Sequence, residues 1–111
     1  MNKCDSLVIF EELSRIPRPS GKEEKVVEYL VNFAKEYGLK YKLCGTNNVI
    51  IYKKSSIRVN KKTIIMQGHI DMVCEKEITS SIDFDNDPIE LVYEGDYVRA
   101  NGTTLGSDNG F

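Results

Sequence analysis

The chain has 111 residues, a good size for one domain and short of two ordinary ones. Hydrophobic residues make up 41% and charged residues 29%, and 17 acids against 15 bases leave a net charge of -2 with no basic block. That balance supplies no electrostatic basis for binding nucleic acid or an anionic membrane. No apolar run reaches membrane-spanning length, and "MNKCDSLVIFEELSR" places acids where a signal peptide needs an unbroken apolar segment. Cys4, Cys44 and Cys74 are odd in number and form no C-x-x-C pair, which argues against a disulfide framework or a structural zinc knot. Reduced thiols in a cytoplasmic protein are the expectation, with Cys74 close enough to His69 in sequence to be considered as a metal ligand.

In chain order, residues 5–16 predict a first helix. Asp5 or Ser6 caps it, Ile9, Leu13 and Ile16 recur on one face, and Pro17 and Pro19 stop it. Ser20 and Glu23 have the S-x-x-E spacing of a capping box ahead of a second helix over 22–37. Its face carries Val26, Val27, Leu30, Val31, Ala34 and Tyr37, and Gly38 ends it. The apolar period then shortens. "NVIIY" (48–52) and "TIIMQ" (63–67) predict adjacent central strands covered on both faces, with "KKSSIRVNKK" between them as a solvated connection. "IELVY" and "YVRA" flank Glu94-Gly95-Asp96 as a hairpin. Helices followed by a buried type of sheet give an α/β or α+β layered domain. Asp83, Asp85, Asp87 and Glu94 mimic the spacing of an EF-hand loop, but Pro88 stands where that loop needs a sharply turning glycine. An acidic solvated loop is the reading there.

Two stretches carry chemistry. "MQGHIDMV" holds the single histidine, His69, two residues before Asp71. In an extended chain that spacing sets both side chains on one side, with Cα atoms roughly 6.5 Å apart. Both can then reach one metal, or the acid can accept a hydrogen bond from the imidazole nitrogen turned away from it. A histidine paired with an acid purely for structure fits the same spacing. "ANGTTLGSDNGF" surrounds Asp108 with Gly102, Gly106 and Gly110, which permit tight turns and close approach to a ligand. It matches neither a phosphate loop nor a G-x-S-x-G elbow, and as a bare motif it fits a structural turn equally well.

Taken in order and spacing, "MQGHIDMVCEK", "DFDNDPIEL" and "ANGTTLGSDNG" resemble the amino-terminal part of the aminoacylhistidine dipeptidases, broad-specificity cytosolic enzymes of the zinc-dependent peptidase superfamily. "SRIPRPSGKEEKVVEYL" resembles the family's opening helices, so the resemblance covers nearly the whole chain. Cys74 departs from the pattern, which favours proline there. The resemblance implies an α/β catalytic domain with helices packed on a mixed sheet, of which residues 1–111 form the amino-terminal portion. It implies two zinc ions, with cobalt or manganese as substitutes, dipeptide substrates, and a homodimer in the full-length family. His69 would bind one zinc, Asp71 would be the catalytic-site acid orienting His69, and Asp108 would bridge both ions. Two ions roughly 3.5–4 Å apart activate a water and polarise the peptide carbonyl. The family's paired-glutamate base, its later metal ligands and its lid and dimerisation domain have no counterpart in these residues. The expectation is therefore a dipeptidase fragment, inactive alone, whose uncovered sheet edges lead to self-association or to local disorder beyond residue 95. Two alternatives stay open: a non-catalytic remnant, or an α/β interaction module in which His69 and Asp71 are structural.

Overall fold

Proline and glycine mark the element boundaries. In a computed structural model that describes residues 5–59 and 62–107, helix α1 spans Asp5–Ser14 and ends ahead of the Pro17-Arg18-Pro19 turn. Helix α2 spans Glu24–Glu36. Its carboxyl end closes through Gly38, at φ 63°, with Gly38 N–H donating to Lys35 O (3.1 Å) and Leu39 N–H to Ala34 O (2.8 Å). These paired bonds satisfy carbonyls that a helix end otherwise leaves open, and they place the chain's reversal at the predicted glycine.

The amino end of α2 is built differently from the expected capping box. Glu23 itself is the N-cap residue, with no side-chain cap bond. Its carboxylate accepts from Gly21 N–H (2.5 Å) and from Asn47 Nδ2 (2.9 Å). Ser20 turns away from the helix and donates to Asp71 instead. A long-range acceptor has taken the hydroxyl that the local motif would have used.

After α2 come two antiparallel hairpins. Strands β1 (Lys40–Cys44) and β2 (Asn48–Tyr52) pair from Lys40↔Tyr52 to Cys44↔Asn48. Strands β3 (Leu91–Glu94) and β4 (Tyr97–Ala100) pair from Leu91↔Ala100 to Glu94↔Tyr97. Gly95 makes the second turn at φ 60°, where a two-residue hairpin loop favours glycine. α2 packs on β1 and β2, so the expected helix-on-sheet layering holds, and the fold is mixed α/β. The described sheets are two-stranded and antiparallel; they do not form one mixed sheet.

The expected second central strand, 63–67, is not among these strands. β2 pairs with β1, and residues 62–71 run without regular strand pairing. Ile64, Ile65 and Met66 are 84%, 85% and 93% exposed. A β-branched apolar run has the side chains of a buried strand, but it becomes one only when neighbours supply its hydrogen bonds. No described strand does so.

The core joins distant segments. Leu13, Val26, Ala34, Met72 and Ile89 are buried, together with Ser14 and Arg18. Ser14 Oγ donates to Phe10 O (2.8 Å), and Ser14 O accepts from Ile89 N–H (3.0 Å), locking α1 to the approach to β3. Glu12 accepts from Tyr29 Oη (2.6 Å) and Glu11 from Tyr93 Oη, tying α1 to α2 and to β3. The acidic loop closes on itself: Asp83 O accepts from Asn86 and Asp87 N–H (3.1 and 2.7 Å), and Lys22 reaches Asp85 at 2.6 Å. Its side chains are engaged with one another and with Lys22, which fits the solvated-loop reading.

Candidate functional site

The segment Ile70–Cys74 lies between two others. On one side Met72 N–H donates to Arg18 O (3.0 Å), forming a bridge with Pro19. On the other, the chain just beyond it pairs with the glycine-dense segment. Glu77 N–H donates to Gly102 O and Thr104 N–H to Glu75 O, both at 2.9 Å, and Thr104 Oγ1 donates to Val73 O (2.6 Å). Two stretches 25 to 31 positions apart are thereby laid side by side, as a shared site would need.

Gly106 shows how close that approach is. Its φ is 68°, and a Cβ there would lie 2.9 Å from Arg18 Nη2 and 3.0 Å from Met72 Cβ. Only glycine fits both the backbone angle and the space.

His69 and Asp71 face each other as their spacing predicts. His69 Nδ1 lies 3.0 Å from Asp71 Oδ1 and 3.0 Å from Asp71 O. Both partner atoms are acceptors, so Nδ1 carries the ring proton, and Nε2 lies on the opposite side of the ring. Asp71 is held in turn: Ser20 Oγ donates to Oδ2, and Arg18 Nη1 donates to the Asp71 carbonyl (3.1 Å). The Ser20 hydroxyl first, with the His69 ring adding to it, keeps the Asp71 carboxyl below its ordinary range despite partial burial. Asp71 is therefore an ionised acceptor at neutral pH, as a carboxylate behind a metal-binding imidazole must be. Both side chains are about one-third exposed, at 37% for His69 and 33% for Asp71.

The pair borders a cleft of about 1160 Å³ that is also lined by β2, Glu23 and the exposed run 63–67. His69 is thus neither in mid-sheet nor sealed from solvent. It sits on an extended segment rather than at the end of a regular strand.

Cys74 does not join the pair. Its thiol is turned toward Met72 O (3.6 Å), and burial pushes its pKa up, away from the thiolate a metal requires. Asp108, the expected bridging carboxylate, lies outside the described residues. Among the described residues, no group of three or more His, Cys, Asp or Glu is gathered for a metal. The donors do fit part of such a site: an imidazole with its tautomer fixed by an ionised acid, beside a cleft. Sequence reading passed over Arg18 and Ser20. The capping spacing gave Ser20 a local role, and Arg18 carried no signal beyond two flanking prolines.

None of the known family models matches the chain. It is 41% identical over 103 residues to the cytosol non-specific dipeptidase of Escherichia coli strain K12, a match covering 92% of this chain and 21% of that protein. The crystal structure of aminoacylhistidine dipeptidase from Vibrio alginolyticus superposes with a TM-score of 0.86 at 41% identity, covering 93% of this chain and 21% of that one. The chain resembles dipeptidases. At this identity the likeness extends beyond shape. The chain spans about a fifth of the length of the relatives it matches. No described helix is long and apolar enough to cross a membrane.

Proposed function

We propose that these residues are the amino-terminal portion of the catalytic domain of a zinc-dependent dipeptidase acting in the cytoplasm. The observation that carries this reading is the His69–Asp71 pair at 3.0 Å, on a segment stitched to the glycine-dense stretch that leads to Asp108. The 41% identity to dipeptidases supplies the reaction class.

In this reading His69 would hold one zinc through Nε2 and Asp108 would supply a carboxylate to the pair of ions, with cobalt or manganese able to substitute. When bound, the ions supply an activated water and a polarised peptide carbonyl. Asp71 accepts the Nδ1 proton and holds the ring in the tautomer that turns Nε2 outward. Dipeptides, of the aminoacyl-histidine type or more broadly, are the substrate class, and the cleft beside His69 offers them room. The complete enzyme works as a homodimer without nucleic-acid or membrane partners.

These 111 residues by themselves are catalytically silent. A catalytic zinc takes three protein ligands plus water, and the described residues gather no such set. Calorimetry with zinc on wild type, His69→Ala and Asp108→Ala, with a dipeptide hydrolysis assay beside it, tests the reading. Weak zinc binding that both substitutions abolish, and no turnover, are expected. Zinc binding untouched by either substitution overturns the metal assignment and favours a structural histidine. Turnover abolished by a chelator overturns the incompleteness.

A further inference from the structure

We infer that Ser20 and Arg18, in the loop between α1 and α2, are positioning residues that set which nitrogen of His69 is presented for metal binding. The inference rests on the metal role of His69 and adds what fixes it. Asp71 has three polar atoms in play, and this loop engages two of them. Ser20 Oγ donates to Oδ2, and Arg18 Nη1 donates to the backbone carbonyl at 3.1 Å. The remaining oxygen, Oδ1, faces His69 Nδ1 at 3.0 Å.

A carboxylate held by one contact can rotate about its Cβ–Cγ bond and offer either oxygen, or neither. Held at Oδ2 by Ser20, it keeps Oδ1 toward the imidazole. Arg18 acts on the backbone beneath. It is 1% exposed and also donates from Nη2 to Gly106 O at 2.6 Å. One buried guanidinium thus joins the Asp71 segment to the glycine-dense segment. Its planar fork suits two carbonyls on separate segments of the chain in a way a lysine ammonium does not. Met72 N–H to Arg18 O, at 3.0 Å, closes the same contact from the other direction.

The imidazole alone does not choose the required proton position, since either ring nitrogen can carry it. In this chain two Asp71 acceptors stand 3.0 Å from Nδ1 and make the choice together: Oδ1, oriented through Ser20, and the backbone carbonyl, which also accepts from Arg18. Partners behind a metal-binding histidine are worth 10–100-fold in metal affinity.

The full 111-residue chain has a single histidine, so long-range proton–nitrogen correlation spectra report the His69 tautomer without ambiguity. At pH 8 and free of zinc, wild type is expected to show the Nδ1–H form. Ser20→Ala is expected to show a mixture of tautomers and a 10–100-fold weaker zinc affinity, and Ser20→Thr, which keeps the hydroxyl, to restore both. Arg18→Lys should shift the same two readouts; if it fails to fold, the Ser20 variants decide. Ser20→Ala with an unchanged tautomer and zinc affinity, while His69→Ala abolishes zinc binding, overturns the positioning role and leaves the metal reading standing. A change in thermal stability of Ser20→Ala with no change in tautomer does the same. Zinc binding equal to wild type in His69→Ala removes the metal reading, and this inference with it.

Discussion

At Gly106 two independent constraints act on one residue, and their sum can be tested. The backbone angle of 68° costs any residue with a Cβ about 1–2 kcal/mol. The space adds to that, because the new methyl would meet Arg18 Nη2 at 2.9 Å and Met72 Cβ at 3.0 Å. Arg18 cannot swing aside without giving up the Asp71 and Gly106 carbonyls. Gly106→Ala is expected to lose about 2–4 kcal/mol, combining strain and overpacking, read as a lower urea midpoint. Gly38 is the control. It has a similar φ of 63° but nothing within 4 Å of an added Cβ, so Gly38→Ala should cost only about 1–2 kcal/mol. Equal losses at the two sites would show that the Arg18–Met72 contact yields easily.

Glu23 makes a second residue-scale case. Its carboxyl is held below the ordinary value of 4.5, first by the Gly21 amide and then by the Asn47 side chain. A carboxyl with a depressed folded pKa contributes stability above its unfolded pKa and loses it as pH falls through the folded value. Melting temperature followed downward from pH 6 should therefore fall less steeply in Glu23→Gln than in wild type below about pH 4.5. Parallel curves would show that the side chain is too solvated to matter.

Among the elements, those specified by their own neighbours were legible. α1 and α2 follow from apolar period and from proline and glycine stops, and the β3–β4 hairpin follows from Gly95 between two apolar runs. Strand β1 was missed because Lys40 and Lys42 dilute its Tyr41–Leu43 alternation. It exists because β2 needs a partner, and the positive-φ residues Gly45 and Asn47 return the chain to supply one. The site divides the same way. His69 and Asp71 were legible as a pair because two residues separate them. Ser20 was not, because its acceptor stands 51 positions away and its local spacing advertised a cap. That reassignment has a measurable consequence. Since Ser20 gives α2 no cap bond, Ser20→Ala should leave the helical circular dichroism of the zinc-free chain unchanged, whereas a true N-cap loses about 0.5–2 kcal/mol on such a change.

At the scale of the whole molecule, apolar surface and open strand edges coincide. Ile64, Ile65 and Met66 lie more than four-fifths exposed in one short run, lining a cleft of about 1160 Å³ that β2 also lines. β2 pairs with β1 along one edge, and no described strand occupies the other. An unpaired strand edge and an exposed apolar segment lining one cleft are features that recruit further chains, because they offer backbone hydrogen bonds and side-chain burial together. The chain is therefore expected to self-associate at micromolar concentration. Light scattering should report a mass above one chain, rising with concentration. Ile65→Lys, placed in the middle of the exposed run, should lower it by introducing a charge that resists pairing. α1, α2 and the β3–β4 hairpin should be unaffected, since none of them rests on that side chain. A monomeric wild type, or a lysine variant that associates equally, would move the adhesive surface away from 63–67.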